Sequence, residues 1–200
     1  MDPLSRLDDA VARLAALTAG RARTGTSHED GDDVTGTVGT DDAIGFDPRP
    51  LLRALDAAGA EVVVMGQVAG ILHGSRELTG DLDLLWDGDP RQQEALATAF
   101  TAVGAALVDD DDRPVATAPA AFALAKVRFA TPTASGDCCT PALPWGALDV
   151  RAFVARALVA TGPDGFRVRF VTRSDLVTMR RAVGRAKDRR RAEELEARGP

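Results

Sequence analysis

The chain has 200 residues, of which 45% are hydrophobic and 27% are charged, and its formal net charge at pH 7 is −6. This length and composition predict one folded domain with a substantial core and exclude a disordered or low-complexity protein. The apolar stretches are too short to cross a bilayer and the Met-Asp-Pro start lacks a signal-peptide pattern, so we expect a cytoplasmic protein with no membrane partner.

Charge is distributed unevenly along the chain. Residues 1–150 carry 11 basic and 24 acidic side chains, whereas residues 151–200 carry 13 basic and 6 acidic ones. This asymmetry indicates either an anionic ligand near the C-terminal part or two halves that neutralise each other on a solvated surface. Charge alone favours the second interpretation.

Cysteine usage bears on disulfides and on zinc. Cys138 and Cys139 are the two cysteines, and adjacent cysteines rarely bridge to each other, which predicts reduced thiols. Two cysteines and two scattered histidines lack the ligand spacing of a zinc site.

The first 46 residues predict a helix followed by a linker. Apolar residues recur at helical spacing from Pro3 to about Ala19, with proline at the helix start. Residues 20–46 are rich in Gly, Thr and Asp and lack periodicity, which is typical of a linker or mobile loop. The helix is expected to dock on its own domain or on a partner, the first being the commoner outcome.

Residues 47–198 are expected to form the compact domain, which ends in basic C-terminal helices. Helices are predicted from Pro48 to Gly59 and over 67–72, 90–103, 151–160, 174–183 and the final residues. Strands are predicted over 61–65, 81–86, 105–108, 125–131, 147–150 and 166–171, and residues 132–146 are expected to be a loop. Because strands and helices mix without regular βαβ repetition, we predict an α+β fold with a mixed sheet.

The sharpest chemical signal is Asp81-Leu82-Asp83. Residues i and i+2 of a strand point to the same face, so both carboxylates project together while Leu82 faces the core. Two such carboxylates repel unless a cation lies between them, and the oxygen ligands suit Mg²⁺. Gly74-Ser75 lies upstream in a turn where backbone N–H groups and a hydroxyl can surround a phosphate. One ligand with phosphates and metal, a nucleoside triphosphate (NTP) such as ATP, satisfies both signals.

A series of motifs resembles a known family. The series consists of Gly66-Gln67-Val68-Ala69, Leu72-His73-Gly74-Ser75-Arg76, Thr79-Gly80-Asp81-Leu82-Asp83-Leu84-Leu85, Leu148-Asp149-Val150 and the segment from Ser174 to Asp188. Together they cover about residues 46–195 and resemble the minimal polymerase-β-type nucleotidyltransferases. The chain is most similar to the AbiEii/MenT-like branch, which is known from toxin–antitoxin systems.

The resemblance implies a polymerase-β-like nucleotidyltransferase fold and the transfer of a nucleoside monophosphate from an NTP to an acceptor hydroxyl, with release of pyrophosphate. It implies that Asp81, Asp83 and Asp149 are catalytic and hold two Mg²⁺ ions, with Mn²⁺ as an alternative. Asp149, on a neighbouring strand, would also help to deprotonate the acceptor, and Gly74 and Ser75 would hold the β- and γ-phosphates. The other nucleotide-binding residues implied are Gly66, Arg76, Arg180, Arg185 and Lys187.

The chain departs from the family pattern at two positions. Gln67 stands where the family usually has a second glycine, and Arg180 stands where it usually has a lysine near the triphosphate. Arginine keeps the charge and forks onto phosphate, so Arg180 is expected to contact phosphate, with Arg185 and Lys187 as weaker candidates.

Several candidates also have an ordinary structural interpretation. Asp81 and Asp83 could lie on a solvated strand face, and Ser75 could simply form a turn. Asp137 lies in the same region as Asp149, although in the expected Gly/Cys loop. His73 is expected to be a capping or packed residue, and the arginine-rich 180–191 segment is by default a solvated helix face.

The leading hypothesis is a toxin-like enzyme that transfers a nucleotide to RNA, such as a tRNA 3′ end, with a cognate antitoxin protein as partner. The positive last fifty residues are where an RNA backbone could lie. A first alternative is the same transfer to a protein hydroxyl or to an aminoglycoside. A second is a non-catalytic fold member that acts as an antitoxin-like binding module, with residues 1–46 engaging a partner.

Overall fold

The computed structural model describes residues 1–27 and 36–197. Within these residues, eight strands form one mixed sheet in the order β4-β3-β5-β6-β2-β1-β8-β7. The strands are β1 (Val63–Val64), β2 (Leu82–Leu85), β3 (Ala106–Val108), β4 (Pro114–Val115), β5 (Lys126–Ala130), β6 (Ser135–Cys139), β7 (Leu158–Thr161) and β8 (Arg167–Phe170). Strand β2 pairs parallel with β6, β1 pairs parallel with β8, and the other pairs are antiparallel.

Helices flank this sheet. They are α1 (Pro3–Thr18), α2 (Arg49–Ala57), α3 (Gly66–Leu72), α4 (Gln93–Ala102), α5 (Val150–Ala155), α6 (Arg173–Val183) and α7 (Ala186–Glu196), with 3-10 turns at Thr37–Gly39, Asp41–Ala43, Pro90–Gln92 and Pro119–Ala123. The predicted α+β class with a mixed sheet is therefore confirmed. Among the described residues, no helix is long and apolar enough to cross a membrane.

The core surrounds the central strands. Leu82, Leu84 and Leu85 of β2 are fully buried because β2 lies in the middle of the sheet with neighbours on both sides. Alternation along the strand leaves Asp83 half-buried on the opposite face from Leu82 and Leu84. Burial of Leu82 and Leu84 fixes the register of this strand, because a one-residue slip would put them on the carboxylate face.

Two predicted elements between residues 132 and 150 are wrong. Residues 135–139, expected in a loop, form β6, which pairs with β2 and β5. Gly136 is the reason that β6 comes close to β2, because a Cβ at this position would collide with the Leu82 carbonyl. The strand expected over 147–150 is absent from the described structure, because Asp149 is the N-cap of α5 and its side chain accepts from the Ala152 N–H.

The N-terminal part belongs to the same body as the sheet. Helix α1 contributes Leu7, Ala10, Val11 and Leu14 to the main hydrophobic cluster, and it packs against α3. The segment expected to be a linker divides into three parts. Residues 20–27 have no helix or strand, residues 28–35 lie outside the described residues, and residues 36–46 include two 3-10 turns with buried side chains.

Candidate active site

Strand β2 presents two carboxylates on one face, as predicted. Asp81 immediately precedes the strand and Asp83 is its second residue, and both side chains are half-buried. The leucines on the other face are fully buried, so the strand cannot rotate to release the carboxylates into solvent. The two groups are therefore held by the core itself.

Buried threonines hold the Asp81 carboxylate. Its Oδ1 accepts from the Thr79 hydroxyl and, at 3.1 Å, from the Thr37 hydroxyl. Thr37 also accepts from the Gly80 N–H at 2.6 Å. Ala43 lies so close to Gly80 that there is no space for a side chain there. The segment containing Thr37 and Ala43 is thus part of the candidate site, although nothing in its sequence pattern indicated it.

Gly66 brings the start of α3 against the second carboxylate. Its φ is +61°, and a Cβ added there would collide with Asp83 Oδ2. The Met65 N–H donates to the Asp83 carbonyl at 2.9 Å, which joins the residue before α3 to β2. Glycine is required here because it alone permits both this backbone conformation and this close approach.

The third carboxylate near β2 is Asp137 rather than Asp149. Asp137 lies directly opposite Asp83 in the parallel β2–β6 register, and neighbouring strands are about 4.8 Å apart. It lines the same two cavities as Asp81 and Asp83. Asp149 lines neither cavity and uses its carboxylate to cap α5. Its expected position on a strand beside the other two carboxylates is therefore wrong.

The buried thiols next to Asp137 report a negative environment. Cys138 and Cys139 are both free, as their adjacency predicted, and both are buried. Burial raises the pKa of Cys139 far above its ordinary value, and the carboxylates of Asp137 and Asp83 act in the same direction. Lys126 Nζ lies 4.0 Å from Asp137 Oδ2 and acts on the thiol in the opposite direction, so the negative charge beside the thiols is partly balanced.

Basic residues of α6, of α7 and of the turn between them line one cavity. This cavity has a volume of about 250 Å³, and the three carboxylates line it. Gly66, Arg180, Arg185 and Lys187, which the sequence predicted to bind nucleotide, line it as well, together with Trp145. The structure therefore brings these four predicted residues to the carboxylates.

Gln67 and Arg180, the two residues that differ from the motifs of the resembled family, contact each other. Arg180 Nη2 donates to Gln67 Oε1 at 2.7 Å, and Arg180 Nη1 donates to the Arg191 carbonyl at 3.0 Å. Arg180 is only 5% exposed, and burial together with the nearby Arg191 charge lowers its pKa to about 10. Much of its hydrogen-bonding capacity is spent on protein groups, so Arg180 links the start of α3 to α7.

Gly74, Ser75 and Arg76 do not lie with the carboxylates. They follow the C-terminal end of α3, whereas Gly66 is at its N-terminal end, about 10 Å away for a helix of this length. All three line a different cavity, and neither cavity with the carboxylates includes them. The Ser75 hydroxyl donates to Glu194 and accepts from Gln67, so it is a buried structural group. Their expected proximity to Asp81 and Asp83 is wrong.

The carboxylates suit Mg²⁺ in the kind of donor they offer. Asp81, Asp83 and Asp137 supply hard oxygen ligands on two adjacent strands. Within residues 1–27 and 36–197, no three His, Cys, Asp or Glu side chains are grouped closely enough to form a metal site as they stand.

Comparison with known proteins leaves the geometry as the main guide to function. No protein-family model matches the sequence. No curated protein matches it either.

Proposed function

We propose that the protein is a metal-dependent nucleotidyltransferase that moves a nucleoside monophosphate from an NTP to an acceptor hydroxyl. The observation that supports this most strongly is one cavity lined by both carboxylates and basic side chains. Asp81, Asp83 and Asp137 line it with Arg180, Lys187 and Arg191, and Arg185 lines it as an ion pair with Asp188 at 2.6 Å. A triphosphate with bound cations matches both kinds of charge at once.

The basic residues of the cavity would bind the triphosphate. Lys187 of α7 and Arg185, the N-cap of α7, line the cavity and would contact phosphate oxygens, Arg185 while also paired with Asp188. Trp145 is half-buried in the same cavity, with its indole N–H bonded to the Thr140 carbonyl at 2.8 Å, and its ring offers a stacking surface to a base. Arg180 acts indirectly, by positioning the start of α3.

The carboxylates of Asp81, Asp83 and Asp137 would hold two Mg²⁺ ions. When bound, such ions supply electrostatic stabilisation to the entering and leaving oxygens of an in-line displacement. The acceptor oxygen bonds to the α-phosphorus while the bond from that phosphorus to the α–β bridging oxygen breaks. The acceptor hydroxyl passes its proton to a carboxylate oxygen of Asp137, and pyrophosphate leaves.

RNA, with tRNA as the leading case, is the acceptor that we propose, in a toxin-like role with a cognate antitoxin. The cationic last part of the chain supports this, because an RNA backbone requires positive charge. A second candidate has its own supporting observation. A second cavity of about 400 Å³ that the same carboxylates line is also lined by Asp42, by Phe129 and by Asp112, which pairs with Arg128. An acidic cavity of this kind favours a cationic hydroxyl compound, such as an aminoglycoside.

Labelling with each of the four α-³²P-NTPs and Mg²⁺ tests the proposal. The acceptors are total RNA, total protein and an aminoglycoside, in separate reactions. We expect label on RNA with the wild-type protein and no label with Asp83→Asn. Label only on an aminoglycoside or on protein would replace the RNA acceptor. Absence of NTP binding by calorimetry with Mg²⁺ present would contradict nucleotidyl transfer and favour a binding module.

A further inference from the structure

A second cationic cavity lies at the other end of α3 from the carboxylates. Its volume is about 400 Å³. The residues of interest that line it are Arg6, Arg13, His73, Gly74, Arg76 and Arg173. It includes the Gly74 and Arg76 positions that the sequence indicated as phosphate-binding, and it shares no residue with the cavity between the carboxylates and the basic helices.

Four arginines from separate parts of the chain converge on this cavity. Two are on α1, one follows α3, and Arg173 is the first residue of α6. Asp9 is the one carboxylate among the described residues that line the cavity, and it pairs with Arg13 at 2.8 Å. Guanidinium groups gathered in this way repel each other, so the excess positive charge favours an anionic ligand.

Two of the arginines are held in place by backbone carbonyls. Arg6 Nη1 donates to the Leu72 carbonyl at 2.9 Å, at the C-terminal end of α3. Arg13 Nη1 donates to the Arg76 carbonyl at 3.3 Å. These bonds orient the two side chains from α1, so the cavity wall is built by tertiary contacts and is not a chance arrangement of surface side chains.

The other two arginines have donors to offer. Arg173 Nη1 is buried and has no hydrogen-bond partner among the described residues. Arg76 is exposed, and its side chain makes no hydrogen bond within the described part of the chain. A buried donor without an acceptor is unfavourable, so negative charge in the cavity that Arg173 lines would offset the cost of this guanidinium.

His73 reports the same positive environment. Its Nε2 lies 2.9 Å from the Val171 carbonyl, and its ring packs edge-on against Phe170. Burial lowers the pKa of His73, and the charges of Arg173 and Arg6 act in the same direction. The imidazole is therefore neutral at pH 7 and does not compete with the guanidinium groups for an anion.

We propose that this cavity binds phosphate groups at a site separate from the carboxylates. Phosphate suits it better than a single carboxylate, because several oxygens around one phosphorus can accept from more than one guanidinium fork. Two sources carry this chemistry, the phosphodiester backbone of RNA and free inorganic phosphates. The proposal does not depend on nucleotidyl transfer.

The test compares the double variant R76Q/R173Q with the wild type and with Arg53→Gln. Arg53 is an exposed arginine that pairs with Asp164 on another part of the surface, so R53Q removes one positive charge outside the cavity. The probes are a fluorescein-labelled single-stranded oligoribonucleotide, followed by anisotropy at low salt, and inorganic pyrophosphate without metal, followed by calorimetry. Thermal melting checks that each variant is folded.

We expect R76Q/R173Q to bind at least one probe at least tenfold more weakly than the wild type, because the variant loses charge-assisted hydrogen bonds to phosphate oxygens. If RNA is the source, the slope of log affinity against log salt also falls by about 0.7 for each lost phosphate contact. R53Q should match the wild type. An effect on RNA alone assigns the site to a backbone, and an effect on pyrophosphate alone assigns it to free phosphate.

The proposal is overturned if the wild type binds neither probe, or if R76Q/R173Q binds both with wild-type affinity and salt slope. Should the double variant melt at a lower temperature, the single variant Arg76→Gln carries the test. Its side chain is exposed and makes no hydrogen bond within residues 1–27 and 36–197, so folding does not depend on it. Wild-type binding by R76Q would then overturn the proposal in the same way.

Discussion

At the scale of single residues, the candidate site depends on which carboxylates share a face. Asp81 and Asp83 were predictable because strand alternation and buried leucines require them to project together. Asp137 was harder to predict because Gly136, which permits the close approach of β6 to β2, also resembles a loop residue in sequence. Asp149 was misleading because the short pattern Leu148-Asp149-Val150 suits a strand and a helix N-cap equally well.

Asp137 and Asp149 can be separated by matched variants. We expect Asp137→Asn to reduce kcat by more than the roughly 10–100-fold that loss of an outer-sphere partner costs, because it removes a proposed metal ligand. Asp149→Asn should retain activity and stability, because asparagine is as good an N-cap as aspartate. Steady-state kinetics of NTP turnover measure both. Loss of activity in D149N with retention in D137N would restore Asp149 as the third carboxylate.

At the scale of elements, side chains of the segment after α3 form hydrogen bonds with α7, the last helix. Glu77 Oε1 accepts from Arg191 Nε at 3.0 Å, and the Ser75 hydroxyl donates to Glu194 at 2.9 Å. Ser75 was expected to contact the phosphates because the neighbouring glycine suggested a phosphate-binding turn. Helix α3 instead separates Ser75, after its C-terminal end, from the carboxylates near its N-terminal end. Such contacts across more than a hundred residues have no signature in local sequence.

The Glu77–Arg191 contact predicts a pH dependence of stability. Burial alone would raise the pKa of Glu77, but the bonds and charges of Arg191 and Arg190 hold it below its usual value of 4.5. A carboxylate with a lowered folded-state pKa contributes stability above its unfolded pKa and loses it as pH falls through the folded one. We therefore expect the melting temperature of Glu77→Gln to be lower than that of the wild type at pH 7.

The same variant should lose less stability on acidification. Melting curves are collected from pH 7 down to below pH 4. The difference in melting temperature between wild type and E77Q should become smaller as Glu77 becomes protonated. Arg53→Gln, which breaks an exposed ion pair elsewhere, serves as the control, since surface pairs contribute about 0–1 kcal/mol. A difference in melting temperature between wild type and E77Q that stays constant with pH would contradict a stabilising contribution from ionised Glu77.

At the scale of the whole molecule, the sequence indicated the fold class and most helices, but not how the N-terminal part relates to the rest. Periodicity predicted α1, which spans Pro3–Thr18 and exposes Leu17 while burying Leu14. A composition rich in Gly, Thr and Asp without periodicity suggested that residues 20–46 are a linker or mobile loop, yet Thr37 and Ala43 are buried against the Gly80 region. Local composition could not reveal this, because its cause is a contact with residues some forty positions later.

Two leucines of α1 test whether this helix is part of the folded body. Leu14 is 2% exposed and lies in the main core, whereas Leu17 is 61% exposed. We expect Leu14→Ala to lower the free energy of unfolding by about 2–5 kcal/mol, because it removes buried methyl groups and leaves a cavity. Leu17→Ala should change it by less than about 0.5 kcal/mol.

Urea denaturation followed by tryptophan fluorescence measures both variants, since Trp86 is buried in the core. A single cooperative transition is expected in each case because α1 and the sheet share one hydrophobic cluster. If L14A and L17A both change the free energy of unfolding by equally small amounts, α1 is instead a separately mobile segment that could bind a partner.

The Gln67–Arg180 contact has a consequence for ligand affinity. Arg180 joins Gln67, at the start of α3, to the Arg191 carbonyl of α7. The separation between these two helices, both of which line the cavity with the carboxylates, is thus set in the folded chain before any ligand enters. A ligand that fits this preorganised cavity loses its own freedom on binding but does not have to order the protein.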